Sequence, residues 1–222
     1  MKYEINIKNS KYFIAIIGTG MKNFQANLYF LQNKNGVFEL IKKNHCFVGI
    51  NGWGMRSDLD KRNMDLTELN GYKKEGDGKT PEGLFMLGRM FSHDLDKKII
   101  DGKESGNNPN LYCYEKFNDV YECCIPDSPV GDKRNESERM TNPLYRRAIF
   151  INYNYPVKNP RAGSCIFLHI GDKATAGCVA VDFQMIDEIF QLITPNTTLI
   201  LMISNKENLR NFPEADFLTQ FI

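Results

Sequence analysis

The dipeptide Asn35-Gly36 stands between two runs of strand-like alternation, Ala26 to Leu31 and Val37 to Ile41. A two-residue turn that matches the twist of its flanking strands needs positive φ at its central positions, which asparagine and glycine tolerate better than other residues. The stretch therefore predicts a β-hairpin, and the apolar run Tyr12 to Ile17 before it makes the N-terminal part a β-meander. Further short apolar runs bounded by turn residues are Cys46 to Ile50, Gly83 to Leu87, Leu111 to Tyr114, Ala148 to Tyr153, Ser164 to His169 and Thr198 to Ile203. That many short strands with little helix between them implies a sandwich or barrel with mostly antiparallel pairing.

One helix interrupts the pattern. Asp182 is a suitable N-cap, and Phe183, Ile186, Ile189, Phe190 and Ile193 recur at three- and four-residue spacing until Thr194-Pro195 stops them. The expected fold is thus mainly β with one main helix, packed as a β-sandwich or barrel of mixed sheets. No linker divides the 222 residues, so a single domain over 1–222 is expected, with its core at about 12–203 and a polar C-terminal tail. The polar segments 57–79 and 127–138 read as long loops, either solvated or carrying a binding site.

Composition narrows the function classes. Lys and Arg total 28 against 27 Asp and Glu, so no charge excess directs the chain to nucleic acid or an anionic membrane. A membrane span needs about 20 apolar residues, and no run approaches that length. Tyr12 to Ile17 is also short for a secretory signal and lacks a small-residue cleavage site after it, so it reads as a buried strand. The six cysteines (Cys46, Cys113, Cys123, Cys124, Cys165, Cys178) form no C-x-x-C pair and only three histidines are present, so no structural metal is expected. Disulfides are possible at this size but not required.

Residues 73–83, KKEGDGKTPEG, contain the Gly-Lys-Thr that ends a phosphate-binding loop. Such a loop needs a glycine where Lys73 stands, and a helix after the threonine. Here Pro81-Glu82-Gly83 leads into the strand-like Leu84 to Leu87, so the stretch is a glycine-rich turn stiffened by proline. That account leaves the crowding of Asp77, Lys79 and Thr80 unexplained.

The chemistry-bearing stretch is Gly163 to Asp182, GSCIFLHIGDKATAGCVAVD. A strand ends in His169, a tight polar loop follows, and Gly177-Cys178 leads towards the helix cap, so His169 and Cys178 can meet as neighbours on a hairpin. An imidazole that takes the thiol proton turns cysteine into a nucleophile, and it needs a carbonyl or carboxylate from Ile170-Gly171-Asp172 to hold its tautomer. Gly177 lets a substrate approach backbone N–H groups that would stabilise an oxyanion. The residues alone also allow Cys165 and Cys178 to be small core residues and His169 a satisfied polar group at a strand edge.

Two separated motifs in this order resemble the L,D-transpeptidase catalytic domain, also called the YkuD-like domain: Thr80-Pro81-Glu82-Gly83 entering a strand, and GSCIFLH ending in His169 followed by Thr175-Ala176-Gly177-Cys178. The resemblance covers about Tyr12 to Leu201. It implies Cys178 as nucleophile, His169 as base, the carbonyl near Ile170 as its orienting partner, and the N–H groups of Gly177 and Cys178 as the oxyanion hole. Thr175 and Thr80 are the expected substrate contacts. The implied substrate is a peptidoglycan tetrapeptide stem, attacked after its meso-diaminopimelate with release of D-alanine and transfer to an amine, without metal or organic cofactor. Hydrolysis by the same thiol, or wall binding without catalysis, are the alternatives. The implied location is periplasmic or cell-wall associated. The sequence departs from the family pattern at Ala176, where histidine is usual, at Ala180, where arginine or asparagine is usual, and in the short loop between His169 and Cys178.

Overall fold

The run Tyr12–Gly18 carries no charged residue because both of its faces are buried. Tyr12, Ile14 and Ile16 enter one core, and Phe13, Ala15 and Ile17 enter a second. The computed structural model describes residues 7–56, 71–94, 103–105, 111–114, 125–126, 137–155, 162–163 and 165–222. In chain order its strands are β1 (Tyr12–Gly18), β2 (Gln25–Lys34), β3 (Val37–Phe47), β4 (Trp53–Gly54), β5 (Thr80–Pro81), β6 (Gly83–Ser92) and β7 (Lys103–Ser105). There follow β8 (Leu111–Tyr114), β9 (Ile125–Pro126), β10 (Ser137–Arg139), β11 (Arg147–Ile151), β12 (Phe167–Ile170), β13 (Val179–Val181), helix α1 (Phe183–Leu192) and β14 (Thr198–Ile203).

The main sheet runs β11-β12-β13-β3-β2-β1-β14-β6-β7, and β6 also pairs with β11, so the sheet closes on itself like a barrel. It is mixed: β1–β14, β12–β13 and β6–β7 are parallel, while the β1–β2, β2–β3, β3–β13, β6–β14, β6–β11 and β11–β12 pairs are antiparallel. Two small sheets, β10-β8-β9 and β4-β5, lie apart from it. The β2–β3 hairpin turns at Asn35 and Gly36, whose φ angles are 56° and 90°.

Helix α1 begins where Asp182 Oδ1 accepts the Met185 N–H at 2.8 Å. It buries Met185, Ile186, Ile189 and Phe190 in the first core, beside Leu28, Phe30 and Ile200 of the sheet. The second core lies on the opposite face of β1, β2 and β14, and the segment beyond Ile203 covers it. The segment expected as a polar C-terminal tail thus carries apolar residues into this core. The 3-10 helices Lys206–Asn211 and Pro213–Gln220 bury Leu209, Ala215 and Leu218, and Phe217 stacks on Phe38 with ring centroids 4.3 Å apart. Full burial of each leucine stabilises the fold by about 1.5–3 kcal/mol.

Cys46 to Ile50, expected as a separate strand, is divided between the end of β3 and an isolated bridge from Gly49 to Thr175. Residues 57–70 and 127–136 of the two expected loops lie outside the described residues. No helix among the described residues is long and apolar enough to cross a membrane.

Candidate active site

β12 and β13 lie side by side in parallel, with Leu168 opposite Val179, His169 opposite Ala180 and Ile170 opposite Val181. The expected hairpin between His169 and Cys178 is therefore not formed. Thr175 explains the difference: its N–H donates to the Val48 carbonyl at 3.0 Å, and its carbonyl accepts the Ile50 N–H at 2.8 Å. The chain leaves β12, docks on the segment after β3 and returns in the same direction, so a short loop suffices where parallel strands usually need a longer crossover.

Strand alternation then sorts the side chains. Leu168, Val179 and Val181 point into the first core, whereas Phe167 belongs to a third cluster with Phe91, Met140, Tyr145, Ala148, Phe150 and Cys165. Cys178 packs against that third cluster, and His169 shares its face of β12. The nucleophile candidate thus immediately precedes β13, while the base candidate lies on β12 opposite Ala180, two residues further along.

His169 is 6% exposed, and its Nδ1 lies 2.8 Å from the Ile170 carbonyl. A carbonyl only accepts, so Nδ1 carries the proton and Nε2 of the neutral ring is left as the acceptor. Burial disfavours the imidazolium and lowers the pKa below the ordinary 6.5; the Ile170 hydrogen bond opposes this without cancelling it. The ring is thereby kept as a base at neutral pH.

Cys178 is half-buried and holds a thiol rather than a disulfide. The Phe167 N–H donates to its Sγ at 3.3 Å, and the thiol reaches the Cys165 carbonyl at 3.4 Å. A backbone N–H aimed at sulfur is a ready partner for negative charge there. Cys46 also holds a thiol but is buried, which pushes its pKa far up and leaves it unreactive. Cys165 is disulfide-bonded.

Two threonine hydroxyls fix the backbone at Gly177 and Cys178. Thr175 Oγ1 accepts the Gly177 N–H at 3.0 Å and donates to the Cys178 carbonyl at 2.7 Å. Thr80 Oγ1 accepts the Gly49 N–H at 2.8 Å and donates to the Gly177 carbonyl at 2.7 Å, with the Cys178 carbonyl 3.3 Å away. Thr80, expected as a substrate contact, is completely buried, with its hydroxyl on the backbone of Gly49 and Gly177. Gly177 has φ +147°, and a Cβ on it would lie 2.8 Å from the Lys79 carbonyl. Its N–H, expected in the oxyanion hole, is directed at Thr175 instead.

The turn that ends in Thr80 is organised around Asp77. Its carboxylate accepts the Lys74 N–H at 2.7 Å and the Lys79 N–H at 2.9 Å, and pairs with the buried Lys73 ammonium at 2.8 Å. The Asn51 N–H donates to the Gly78 carbonyl at 3.0 Å, and the Thr80 N–H donates to the Gly52 carbonyl at 2.9 Å, docking the turn against residues 49–54. The crowding of Asp77, Lys79 and Thr80 is therefore architectural. Sequence reasoning missed this role, although a lysine four residues before an aspartate in a glycine-rich turn was a visible sign of it.

Ala180 lies 1% exposed beside His169, and a Cβ on Gly171 would come within 3.0 Å of the Ala180 Cβ. Ala176, the other departure, is exposed. Among the described residues no group of three or more His, Cys, Asp and Glu is placed to hold a metal ion.

No curated protein matches the sequence. Among solved structures the chain is similar to Bd1075 of Bdellovibrio bacteriovorus, at 18% identity and a TM-score of 0.44 over 96% of this chain and 55% of that one. It is similar also to the helical cell shape determining protein Pgp2 of Campylobacter jejuni, at 14% identity and a TM-score of 0.44 over 90% of this chain and 52% of that one. The chain thus spans about half the length of these proteins. Residues 22–201, which contain both the Thr80 turn and the segment from His169 to Cys178, match YkuD, the L,D-transpeptidase catalytic domain, and the chain belongs to that family.

Proposed function

We propose that the protein is a cysteine-dependent peptidoglycan L,D-transpeptidase, acting in the periplasm or cell wall, with Cys178 as nucleophile and His169 as general base. The observation that carries this reading is the shared face of β12 and β13. Cys178 immediately precedes β13, its Sγ accepts the Phe167 N–H, and two residues along β12 stands a buried imidazole whose tautomer Ile170 fixes.

His169 Nε2 takes the Cys178 proton, and the sulfur attacks the carbonyl carbon of meso-diaminopimelate that is amide-bonded to the terminal D-alanine of a tetrapeptide stem. The carbonyl π electrons move to oxygen, and a backbone N–H meets the resulting oxyanion. As the oxyanion collapses the C–N bond breaks, and D-alanine leaves with the proton returned by the imidazolium. An acyl-thioester on Cys178 remains. An amine from a second stem attacks it, gives its proton to His169 and expels the thiolate, which is reprotonated. Water in place of the amine yields hydrolysis, the carboxypeptidase outcome.

The test is mass spectrometry after exposure to a carbapenem, whose strained amide acylates such a thiol. One adduct on Cys178, absent from Cys178→Ala, is expected; no adduct, or an adduct on another cysteine, overturns the assignment. Incubation with purified muropeptides then separates transfer from hydrolysis by the products. A wall-binding module without catalysis would leave the muropeptides unchanged.

A further inference from the structure

We infer that Thr80 is a positioning residue for the reaction: by holding the Gly177 carbonyl it aims the Cys178 N–H at the oxyanion. The inference rests on the proposed role of Cys178 and adds a residue that does not touch the substrate.

A threonine Oγ1 has one proton, and an Oγ1 that already accepts the Gly49 N–H at 2.8 Å commits that proton elsewhere. It goes to the Gly177 carbonyl at 2.7 Å. The peptide unit between Gly177 and Cys178 is planar, and in the trans form its C=O and N–H point in opposite directions. Fixing the Gly177 carbonyl towards buried Thr80 therefore turns the Cys178 N–H the other way, out of the protein layer that Thr80 occupies.

The neighbouring peptide units are fixed as well. Thr175 Oγ1 takes the Gly177 N–H and donates to the Cys178 carbonyl. Three successive peptide planes around the nucleophile are thus set by two hydroxyls, and with the Gly177 N–H turned onto Thr175 the oxyanion donor from this pair is the Cys178 N–H. Thr80 is itself immobilised. Its N–H is held by the Gly52 carbonyl, Pro81 follows it, and Asp77 gathers the preceding turn through the Lys74 and Lys79 N–H groups. At zero exposure its hydroxyl is what holds this peptide, and Thr80→Val fills the space without replacing the hydrogen bond.

Two reactions of the same sulfur separate this role from a general structural one. Acylation by a carbapenem passes through an oxyanion, whereas alkylation by iodoacetamide displaces iodide at carbon and forms none. Removing an oxyanion donor slows acyl transfer by about 10²–10³-fold. Thr80→Val and Thr80→Ala should therefore slow carbapenem acylation of Cys178 by about 10²-fold, with alkylation nearly unchanged and kcat on muropeptides falling more than KM rises. Thr80→Ser, which keeps both hydrogen bonds, should restore acylation. Thr80→Ala carries the test should the valine variant fail to fold. Acylation at the wild-type rate in the alanine or valine variant, or an equal fall in acylation and alkylation that serine does not rescue, overturns the inference. Absence of any carbapenem adduct in the unmodified protein overturns the Cys178 assignment instead, and with it the need for an oxyanion donor.

Discussion

The ring of Tyr145 meets that of His169 edge to face, with centroids 5.6 Å apart and planes inclined at 76°. Tyr145 is 2% exposed and also leans on Phe167, so it closes the third apolar cluster over the imidazole. This cover supplies part of the burial that holds the His169 pKa below 6.5. As the proposed general base His169 acts in its neutral form, so the acylation rate of Cys178 should fall on acidification with a midpoint below 6.5. Tyr145→Ala should move that midpoint upwards by admitting water. Rates of carbapenem acylation measured from about pH 4 to pH 8 check this; a midpoint above 6.5 in the unmodified protein contradicts it.

The same burial makes a stability prediction. Between the folded pKa and the unfolded value near 6.5, the unfolded chain binds the proton that the native imidazole refuses. Native stability from this group is therefore complete above about pH 6.5 and is lost as pH falls through the folded pKa. Denaturant unfolding of the protein and of His169→Asn across that window should show the variant less sensitive to acid.

Lys73 and Asp77 form an ion pair whose side chains are only 4% and 15% exposed. Removing one partner of such a pair leaves a buried charge, at a cost of about 3–5 kcal/mol. Asp77→Ala should therefore destabilise strongly, and it also loses the acceptors for the Lys74 and Lys79 N–H groups. Lys73→Met removes the charge and fills the space, so it should cost less, and the double variant should be more stable than the sum of the two predicts. Urea unfolding of the three variants measures the coupling; strict additivity would contradict the pairing.

The local signals were read well from the sequence, and the long-range ones were not. Asn35-Gly36 and the Asp182 cap act within a few residues, so the hairpin and α1 appear at the expected places. The parallel pairing of β12 and β13 depends on where Thr175 docks, and that is decided by Val48 and Ile50, more than a hundred residues earlier in the chain. The bond from Thr80 to the Gly177 carbonyl likewise spans 97 positions. A hydroxyl in a motif reads the same whether it faces substrate or buried backbone, which is why the sequence alone does not reveal the bond from Thr80 to Gly177. Leu209, Ala215 and Leu218 recur at multiples of three, the period of a 3-10 helix, which neither the α-helical nor the strand pattern picks out.

Gly177 combines φ +147° with a Cβ position 2.8 Å from the Lys79 carbonyl. Gly177→Ala must therefore strain the backbone and push the Thr80 turn away, at a cost of about 1–3 kcal/mol. The displaced carbonyl should also abolish muropeptide turnover. Gly20→Ala is the control for the packing contribution, since its φ is +148° but nothing lies within 4 Å of the added Cβ. It should be strained by a similar backbone cost yet keep its activity, read as turnover alongside thermal unfolding. Equal loss of turnover in both variants would show that the Lys79 contact is irrelevant.

Cys165 adopts φ 54° without being glycine, is disulfide-bonded, and presents its carbonyl to the Cys178 thiol at 3.4 Å. A left-handed residue with a side chain persists when its surroundings over-determine it, and here the covalent link and the third apolar cluster both do so. A dithiol reductant, itself oxidised to a cyclic disulfide, converts the bond to two thiols and releases one of those restraints. Cys165→Ser removes the bond without any reductant. Both treatments should relax the Cys165 carbonyl and shift the rate at which Cys178 is acylated, and the reductant should have no further effect on the serine variant. Cys46, buried and with its thiol pKa pushed up, should be alkylated only after unfolding and so reports whether the fold survived. An acylation rate that ignores both the reductant and the substitution would show that the disulfide and the nucleophile are independent.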